Sequence, residues 1–129
     1  MLTAAEPSGD ALGADLIAAL RRRLGPDTCF VGLGGARMAA EGVTSPFDIA
    51  ELSVMGLLEG LLAFRRVARR ADQVAALAVR ERPDVAVLID SWGFSYLLAR
   101  RGREAQTWGA TYFTSFRPGR RRRRRRARR

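Results

Sequence analysis

Apolar residues recur along the first third of the chain with the spacings of a short strand, a helix and a second strand. Leu2 to Ala5 is a short apolar stretch, and a helical repeat follows at Leu12, Leu16, Ile17, Leu20 and Leu24. This helix should end near Gly25-Pro26, because both residues interrupt helices. The apolar run from Cys29 to Leu33 predicts a buried strand, in which Cys29 is an inert core residue. A short helix from Ala36 to Glu41 and a loop from Val43 to Asp48 are expected next.

The longest predicted helix covers residues 54 to 82. One stripe should face the core, since its members are spaced three and four apart: Phe64, Val67, Ala71, Val74 and Ala78. At about 100° per residue, the opposite side carries three leucines followed by four arginines: Leu58, Leu61, Leu62, Arg65, Arg66, Arg69 and Arg70. This pattern is typical of a membrane-contacting surface. Burial against another domain or a second chain is the alternative, and a bend at Gly60 would change which residues share a face.

The run Val85 to Ile89 is unbroken and apolar, which suits a parallel strand buried on both faces. It ends at Asp90, and a helix from Phe94 to Arg101 and a strand from Ala110 to Phe113 are expected after it. Strands and helices therefore alternate along the chain. This alternation predicts an α/β fold, a Rossmann-like open parallel sheet with flanking helices.

The charge of the chain is concentrated at one end. The chain has 23 basic and 13 acidic residues and a formal charge of +10, yet residues 1 to 116 are neutral and residues 117 to 129 hold 10 arginines and no acid. We therefore expect a partial Rossmann-like domain over 1–116 and a disordered Arg-rich tail over 117–129. Because aromatic residues precede the tail, a small module that binds single-stranded nucleic acid is one hypothesis.

The composition excludes several kinds of chemistry. The chain has no His, no Lys and one Cys, so Ser-His-Asp triads, Schiff-base or Walker lysines and zinc clusters cannot be built. Any catalysis must use carboxylates, hydroxyls, arginines or backbone amides, and we expect no cofactor and no metal. No apolar run reaches the roughly 18 residues of a membrane span, and the first residues do not suggest a signal peptide.

Ligands of open parallel sheets bind at the carboxyl ends of the strands. Three loops occupy such ends: Glu6 to Asp10, Leu33 to Gly35 and Asp90 to Gly93. Free amides at the start of the first helix favour an anion or a sugar hydroxyl, although Ser8 or Asp10 could simply cap that helix. Asp90 is a candidate general base or a structural residue that hydrogen-bonds nearby amides. Gly34 and Gly35 mark a tight turn or leave room for a ligand.

Four segments, in order, resemble the lipid-A-disaccharide synthase family. They are Glu6-Pro7-Ser8-Gly9-Asp10 with Leu12-Gly13-Ala14, Gly32-Leu33-Gly34-Gly35 with Arg37-Met38 and Glu41-Gly42, Glu51-Leu52-Ser53-Val54-Met55-Gly56 with Glu59, and Arg82-Pro83-Asp84-Val85 through Asp90. Each is weak alone, but together they cover about residues 2 to 101. The resemblance implies the N-terminal, acceptor-side domain of a glycosyltransferase-B fold.

The resemblance also implies a reaction. The family transfers 2,3-diacylglucosamine from its UDP-linked form to 2,3-diacylglucosamine 1-phosphate, releases UDP and uses no metal. It acts peripherally on the inner face of the inner membrane. Asp90 would be the catalytic general base that deprotonates the acceptor's 6-hydroxyl. The other matching positions would bind substrate: Glu6, Ser8, Gly9, Asp10, Gly34, Gly35, Met55, Gly56 and Glu59.

The end of the chain departs from the family pattern. The first strand is short, the family's Trp-containing stretch is not recognisable before Arg117-Pro118-Gly119-Arg120, and the UDP-binding domain is absent. We therefore expect no transferase activity from this chain alone. The excess charge begins near the point where the motifs stop, which favours a disrupted reading frame over a functional tail. A nucleic-acid-binding module and a generic sugar-nucleotide or nucleotide-binding α/β domain are the competing hypotheses.

Overall fold

A computed structural model describes residues 1–53, 60–105 and 110–114 of the chain. Its elements, in chain order, are β1 (Leu2–Ala4), α1 (Pro7–Leu24), β2 (Gly32–Leu33), α2 (Ala36–Ala40), α3 (Ala50–Ser53), α4 (Gly60–Glu81), β3 (Val85–Ile89), α5 (Trp92–Glu104) and β4 (Ala110–Thr114). The observed order matches the predicted alternation of strands and helices except for α3, a four-residue helix that was not predicted.

The four strands form one sheet in the order β2-β1-β3-β4, and every neighbouring pair is parallel. Thr3 of β1 lies between Leu33 of β2 and Leu88 of β3. The predicted Rossmann-like α/β fold is therefore confirmed. The chain leaves β1 toward β2 on one side and returns to β3 on the other, so the topological switch point lies between β1 and β3.

Two hydrophobic clusters cover the two faces of the sheet. Leu2 and Ala4 of β1 alternate with Met1 and Ala5, so the two pairs point to opposite faces. The first cluster joins β1 to α1 and α2, and its buried members are Leu2, Ala4, Ile17, Met38, Val43 and Ile89. The second joins the sheet to α4 and α5, through Ala71, Val74, Ala78, Phe94, Leu98 and Ala99 among others.

The core stripe of α4 is shorter than predicted. Ala71, Val74 and Ala78 are fully buried and Val67 packs against them, but Phe64 is 55% exposed, so its predicted place in the core is wrong. The cause is length. A helix of 22 residues spans about 33 Å, whereas a five-residue strand covers about 17 Å. The first turns of α4 therefore extend beyond the sheet.

The second strand is also shorter than predicted. Only Gly32 and Leu33 pair with β1, and Leu2 N donates to Val31 O at 2.9 Å before them. Cys29 is exposed, so its assignment to the core is wrong. An apolar run at a sheet edge need not be buried along its whole length, since the pairing that buries it begins only at Gly32.

The amino terminus is tied into the sheet. The Met1 ammonium donates to Val85 O at 2.7 Å, and burial lowers the pKa of this amine from its usual 8.0.

In the described ranges, no helix combines the length and the apolar character that crossing a bilayer requires.

Candidate functional site

The loops after β1 and β3 lie side by side at the switch point. Gly9, in the first turn of α1, makes this proximity possible. A Cβ added to Gly9 would lie 3.2 Å from Ala4 Cβ and 3.5 Å from Ile89 O. The start of α1 therefore packs directly on the end of β3, next to Asp90. All three predicted loops lie at the carboxyl edge of the parallel sheet, and those after β1 and β3 are in direct contact.

The β1–α1 loop presents an open helix start. Glu6 is the N-cap residue in extended conformation, and its side chain makes no capping hydrogen bond. Glu6, Pro7 and Ser8 are exposed, and Asp10 N makes the first helical bond, to Glu6 O at 2.9 Å. Proline has no N–H, so the amides of Ser8 and Gly9 are the donors without an intrahelical partner. This arrangement suits an oxyanion or a hydroxyl oxygen.

Asp10 does not cap its own helix. Its side chain is buried, and its carboxylate accepts three backbone N–H groups at the start of α2. Oδ1 accepts from Gly35 N at 2.8 Å and from Met38 N at 3.0 Å, and Oδ2 accepts from Arg37 N at 3.0 Å. The predicted alternative, in which Asp10 caps α1, is therefore wrong: its carboxylate binds amides at the start of α2. The carboxylate joins the first and second candidate loops.

The Gly34–Gly35 turn is filled by the protein's own side chains. A Cβ on Gly34 would lie 2.5 Å from Met38 Sδ, and one on Gly35 would lie 2.7 Å from Asp10 Oδ2. Ser45 Oγ accepts from Gly34 N at 2.9 Å and donates to Gly34 O at 2.7 Å. Sequence reasoning missed Ser45, because no local pattern links a loop serine to a turn eleven residues earlier.

Asp90 ends β3 in an unusual backbone conformation. Asp90 has φ 53° and Ser91 has φ 48°, so two consecutive residues other than glycine are left-handed. Each such residue costs about 1–3 kcal/mol. The connection is held locally, since Asp90 Oδ1 accepts from Ser91 N at 3.0 Å and Ser95 Oγ donates to Asp90 O at 2.6 Å. Asp90 itself is half-buried and lies at the carboxyl end of β3, at the switch point.

The arginines of α4 divide into two groups. Arg65, Arg66 and Arg69 are exposed. Arg70, predicted on the same outward side, turns instead toward α3: it forms an ion pair with Glu51 and stacks 4.7 Å above the Phe47 ring. Met55, Gly56, Leu58 and Glu59 lie outside the described residues. Leu61 and Leu62 fall in the first turn of α4, but their side chains lie outside the description.

The described part of the chain contains no group of three His, Cys, Asp or Glu side chains placed to hold a metal ion. The switch point offers the carboxylates of Glu6 and Asp90, the exposed Ser8 hydroxyl and the backbone amides at the starts of α1 and α5.

Comparison with known proteins identifies similar sequences over most of the chain. A family model described as lipid-A-disaccharide synthetase matches residues 1–114. The chain is 52% identical to the lipid-A-disaccharide synthase of Paramagnetospirillum magneticum over 94 residues, 73% of this chain and 24% of that protein. It is 42% identical to that of Ruegeria pomeroyi over 124 residues, 92% of this chain and 31% of that protein.

The matches cover the whole described fold but only part of each relative. The chain spans roughly a quarter to a third of the length of these curated relatives. The family match continues through β4, beyond residue 101, where the motifs quoted from the sequence end. The similarity therefore does not stop at α5.

Proposed function

The chain belongs to the lipid-A-disaccharide synthase family, and on that premise we propose that it is the acceptor-side domain of a glycosyltransferase of lipid A assembly. The proposed reaction transfers 2,3-diacylglucosamine from its UDP-linked form to 2,3-diacylglucosamine 1-phosphate. UDP is the leaving group. The observation that carries the proposal is the position of Asp90, a carboxylate at the switch point of a parallel sheet, in a chain that matches the family across its described fold.

Asp90 is the proposed general base. It would accept the proton of the acceptor's 6-hydroxyl as that oxygen forms a bond to the anomeric carbon of the donor sugar, whose bond to UDP breaks. Its strained backbone supports this role, because left-handed residues other than glycine cluster at functional sites. The bond from Ser95 to Asp90 O would hold the carboxylate in place.

The acceptor would lie along the start of α1. Glu6 and Ser8 are exposed there, and the Ser8 and Gly9 amides can donate to a sugar hydroxyl or to the acceptor's phosphate. Gly34 and Gly35 shape the neighbouring turn. Met55, Gly56 and Glu59 complete the proposed binding residues by their match to the family segment.

The resemblance implies that the donor binds in a second, UDP-binding domain, so we propose that the polypeptide of residues 1–129, tested by itself, shows no transferase activity. The test is to follow the amide resonances of Ser8, Gly9 and Ser91 while glucosamine 1-phosphate or UDP is added. We expect glucosamine 1-phosphate to shift them and UDP to leave them unchanged. A response to UDP alone would contradict the acceptor-side assignment, and turnover of the two acylated sugars by the purified chain would contradict its inactivity.

We also propose peripheral contact with the cytoplasmic face of the inner membrane through α4. The exposed Arg65, Arg66 and Arg69 lie beside the exposed Phe64, and Leu58, Leu61 and Leu62 precede them. Basic residues beside apolar ones bind anionic lipid surfaces.

The nucleic-acid-binding alternative receives no support from the family match.

Vesicle binding tests this surface in chains that lack residues 117–129, so that the tail charge does not dominate. Replacing Arg65, Arg66 and Arg69 by Gln should weaken binding to anionic vesicles. Replacing three exposed arginines outside α4 by Gln, Arg22, Arg23 and Arg103, serves as the control with the same loss of charge. Equal losses in both variants would show that only net charge matters and would remove the case for α4.

A further inference from the structure

Asp10 is the one charged side chain that is buried in the described ranges. A carboxylate loses its hydration when it is buried, and this is costly unless hydrogen bonds replace the water. Here three backbone N–H groups replace it, from Gly35, Arg37 and Met38. The two oxygens are thereby both engaged inside the protein.

The three amides belong to the start of α2, which has only five residues. A helix this short is not stable by itself, because its few hydrogen bonds do not offset the cost of nucleation. Gly35, its N-cap residue, offers no side-chain cap. A negative charge at a helix N-terminus is favourable, and Asp10 supplies it from α1. The position of α2 therefore depends on Asp10.

The packing around Asp10 and α2 continues to the end of β3. The Met38 side chain, fully buried, fills the space beside Gly13 and Gly34, where added Cβ atoms would lie 2.5 Å from its sulfur. Ile89 fills the next space: its Cδ1 would lie 3.3 Å from a Cβ on Gly13, and its Cγ2 3.4 Å from one on Gly9. Ile89 precedes Asp90 directly. A displacement of α2 would thus be transmitted through two packed side chains to the switch point.

We propose that Asp10 is a positioning residue: it holds the Gly34–Gly35 turn and α2 against the start of α1 and so fixes how the start of α1 packs on the end of β3, next to Asp90. Its effect on the acceptor is indirect, through the backbone that it holds. The inference rests on the proposed function only in assigning this edge of the sheet to the acceptor.

The test compares Asp10→Asn with Asp15→Asn, the same change at an exposed position of the same helix. Asn keeps the shape of the side chain but turns an NH2 group toward N–H donors. In Asp10→Asn we expect the amide resonances of Gly35, Arg37 and Met38 to move, their hydrogen exchange to accelerate by about tenfold or more, and the Asp90 and Ser91 amides to shift. Asp15→Asn should change none of these. Unchanged resonances at Gly35 and Met38 in Asp10→Asn would overturn the proposal.

A second readout separates this proposal from the function on which it rests. Glucosamine 1-phosphate should bind about fivefold more weakly, or worse, to Asp10→Asn than to Asp15→Asn. If the α2 amides of Asp10→Asn are displaced but the two variants bind glucosamine 1-phosphate with equal affinity, the positioning role is overturned. If the unmodified chain does not bind this ligand, the acceptor function fails, and the Asp90 and Ser91 shifts alone decide the role of Asp10. If Asp10→Asn does not fold, Asp10→Glu, which keeps the charge but shifts the carboxylate by one methylene, is read in its place.

Discussion

The β1–α1 and β3–α5 connections both leave the carboxyl edge of the sheet and begin a long helix, yet they are built differently. At the first, a glycine brings the helix close to the sheet, and Asp10 ties the helix to the neighbouring turn. At the second, Asp90 and Ser91 take left-handed conformations, and one side-chain bond, from Ser95, reaches back to the loop. We refer to them as the relaxed connection and the strained connection.

The difference shows that the relaxed connection adds to the stability of the fold and that the strained connection reduces it. The relaxed connection satisfies a buried charge and three amides and brings two predicted loops together. The strained connection places the proposed general base on a backbone that ordinary residues avoid. Such strain persists only when the surrounding structure enforces it, here through the sheet on one side and α5 on the other. A glycine replaced by alanine should therefore destabilise the chain next to the relaxed connection and be tolerated in the strained connection.

The largest effect is expected from Gly35→Ala, in the β2–α2 turn that Asp10 ties to the relaxed connection. The new Cβ would lie 2.7 Å from Asp10 Oδ2 and 3.0 Å from Ile49 Cδ1, and overpacking of this kind costs about 1–3 kcal/mol. Thermal or urea unfolding of the purified chain measures the loss.

The matched control is Gly93→Ala in the strained connection, where a Cβ meets nothing within 4 Å. Because alanine favours helix over glycine, this change should stabilise the chain by up to about 1 kcal/mol. Losses of equal size in both variants would mean that the two connections are packed alike.

A smaller loss is expected from Ser95→Ala. Ser95 is 3% exposed and donates to Asp90 O at 2.6 Å, so its removal leaves a carbonyl without this partner. The free energy of unfolding should fall by about 1 kcal/mol.

Ser8→Ala, at an exposed position of the relaxed connection, should change the free energy of unfolding by less than about 0.5 kcal/mol. If Ser95→Ala is as neutral as Ser8→Ala, the strained conformation does not depend on this bond, and the sheet alone maintains it.

Much of the fold could be predicted from the sequence because its signals are local. The five apolar residues of β3, the repeat of α1 and the proline after α4 each mark an element directly, and the alternation of elements implies the parallel sheet. The loops of the candidate site followed from topology, since parallel strands place their carboxyl ends at one edge.

The details of the site depend on contacts between distant segments. No sequence pattern around Asp10 indicates that its amide partners lie twenty-five or more residues away. The left-handed backbone at Asp90 and Ser91 could not be predicted, because the enrichment of aspartate in this region is weak and serine has none. Periodicity assigns Phe64 to the core and an apolar run assigns Cys29 to it, and neither signal shows where the covering sheet or the strand pairing ends.

The smallest expected effect is the most direct test of strain. Ser91→Gly should relieve a left-handed conformation worth about 1–2 kcal/mol while adding about 0.5–1 kcal/mol of unfolded-state entropy. The net result should be a slight gain in stability, measured by urea unfolding. Ser8→Gly, in the helical first turn of α1, adds the same unfolded-state entropy but removes no backbone strain. It should therefore destabilise the chain. If Ser91→Gly destabilises as much as Ser8→Gly does, the backbone at Asp90 and Ser91 stores no strain, and the support that strain lends to Asp90 as the general base is lost.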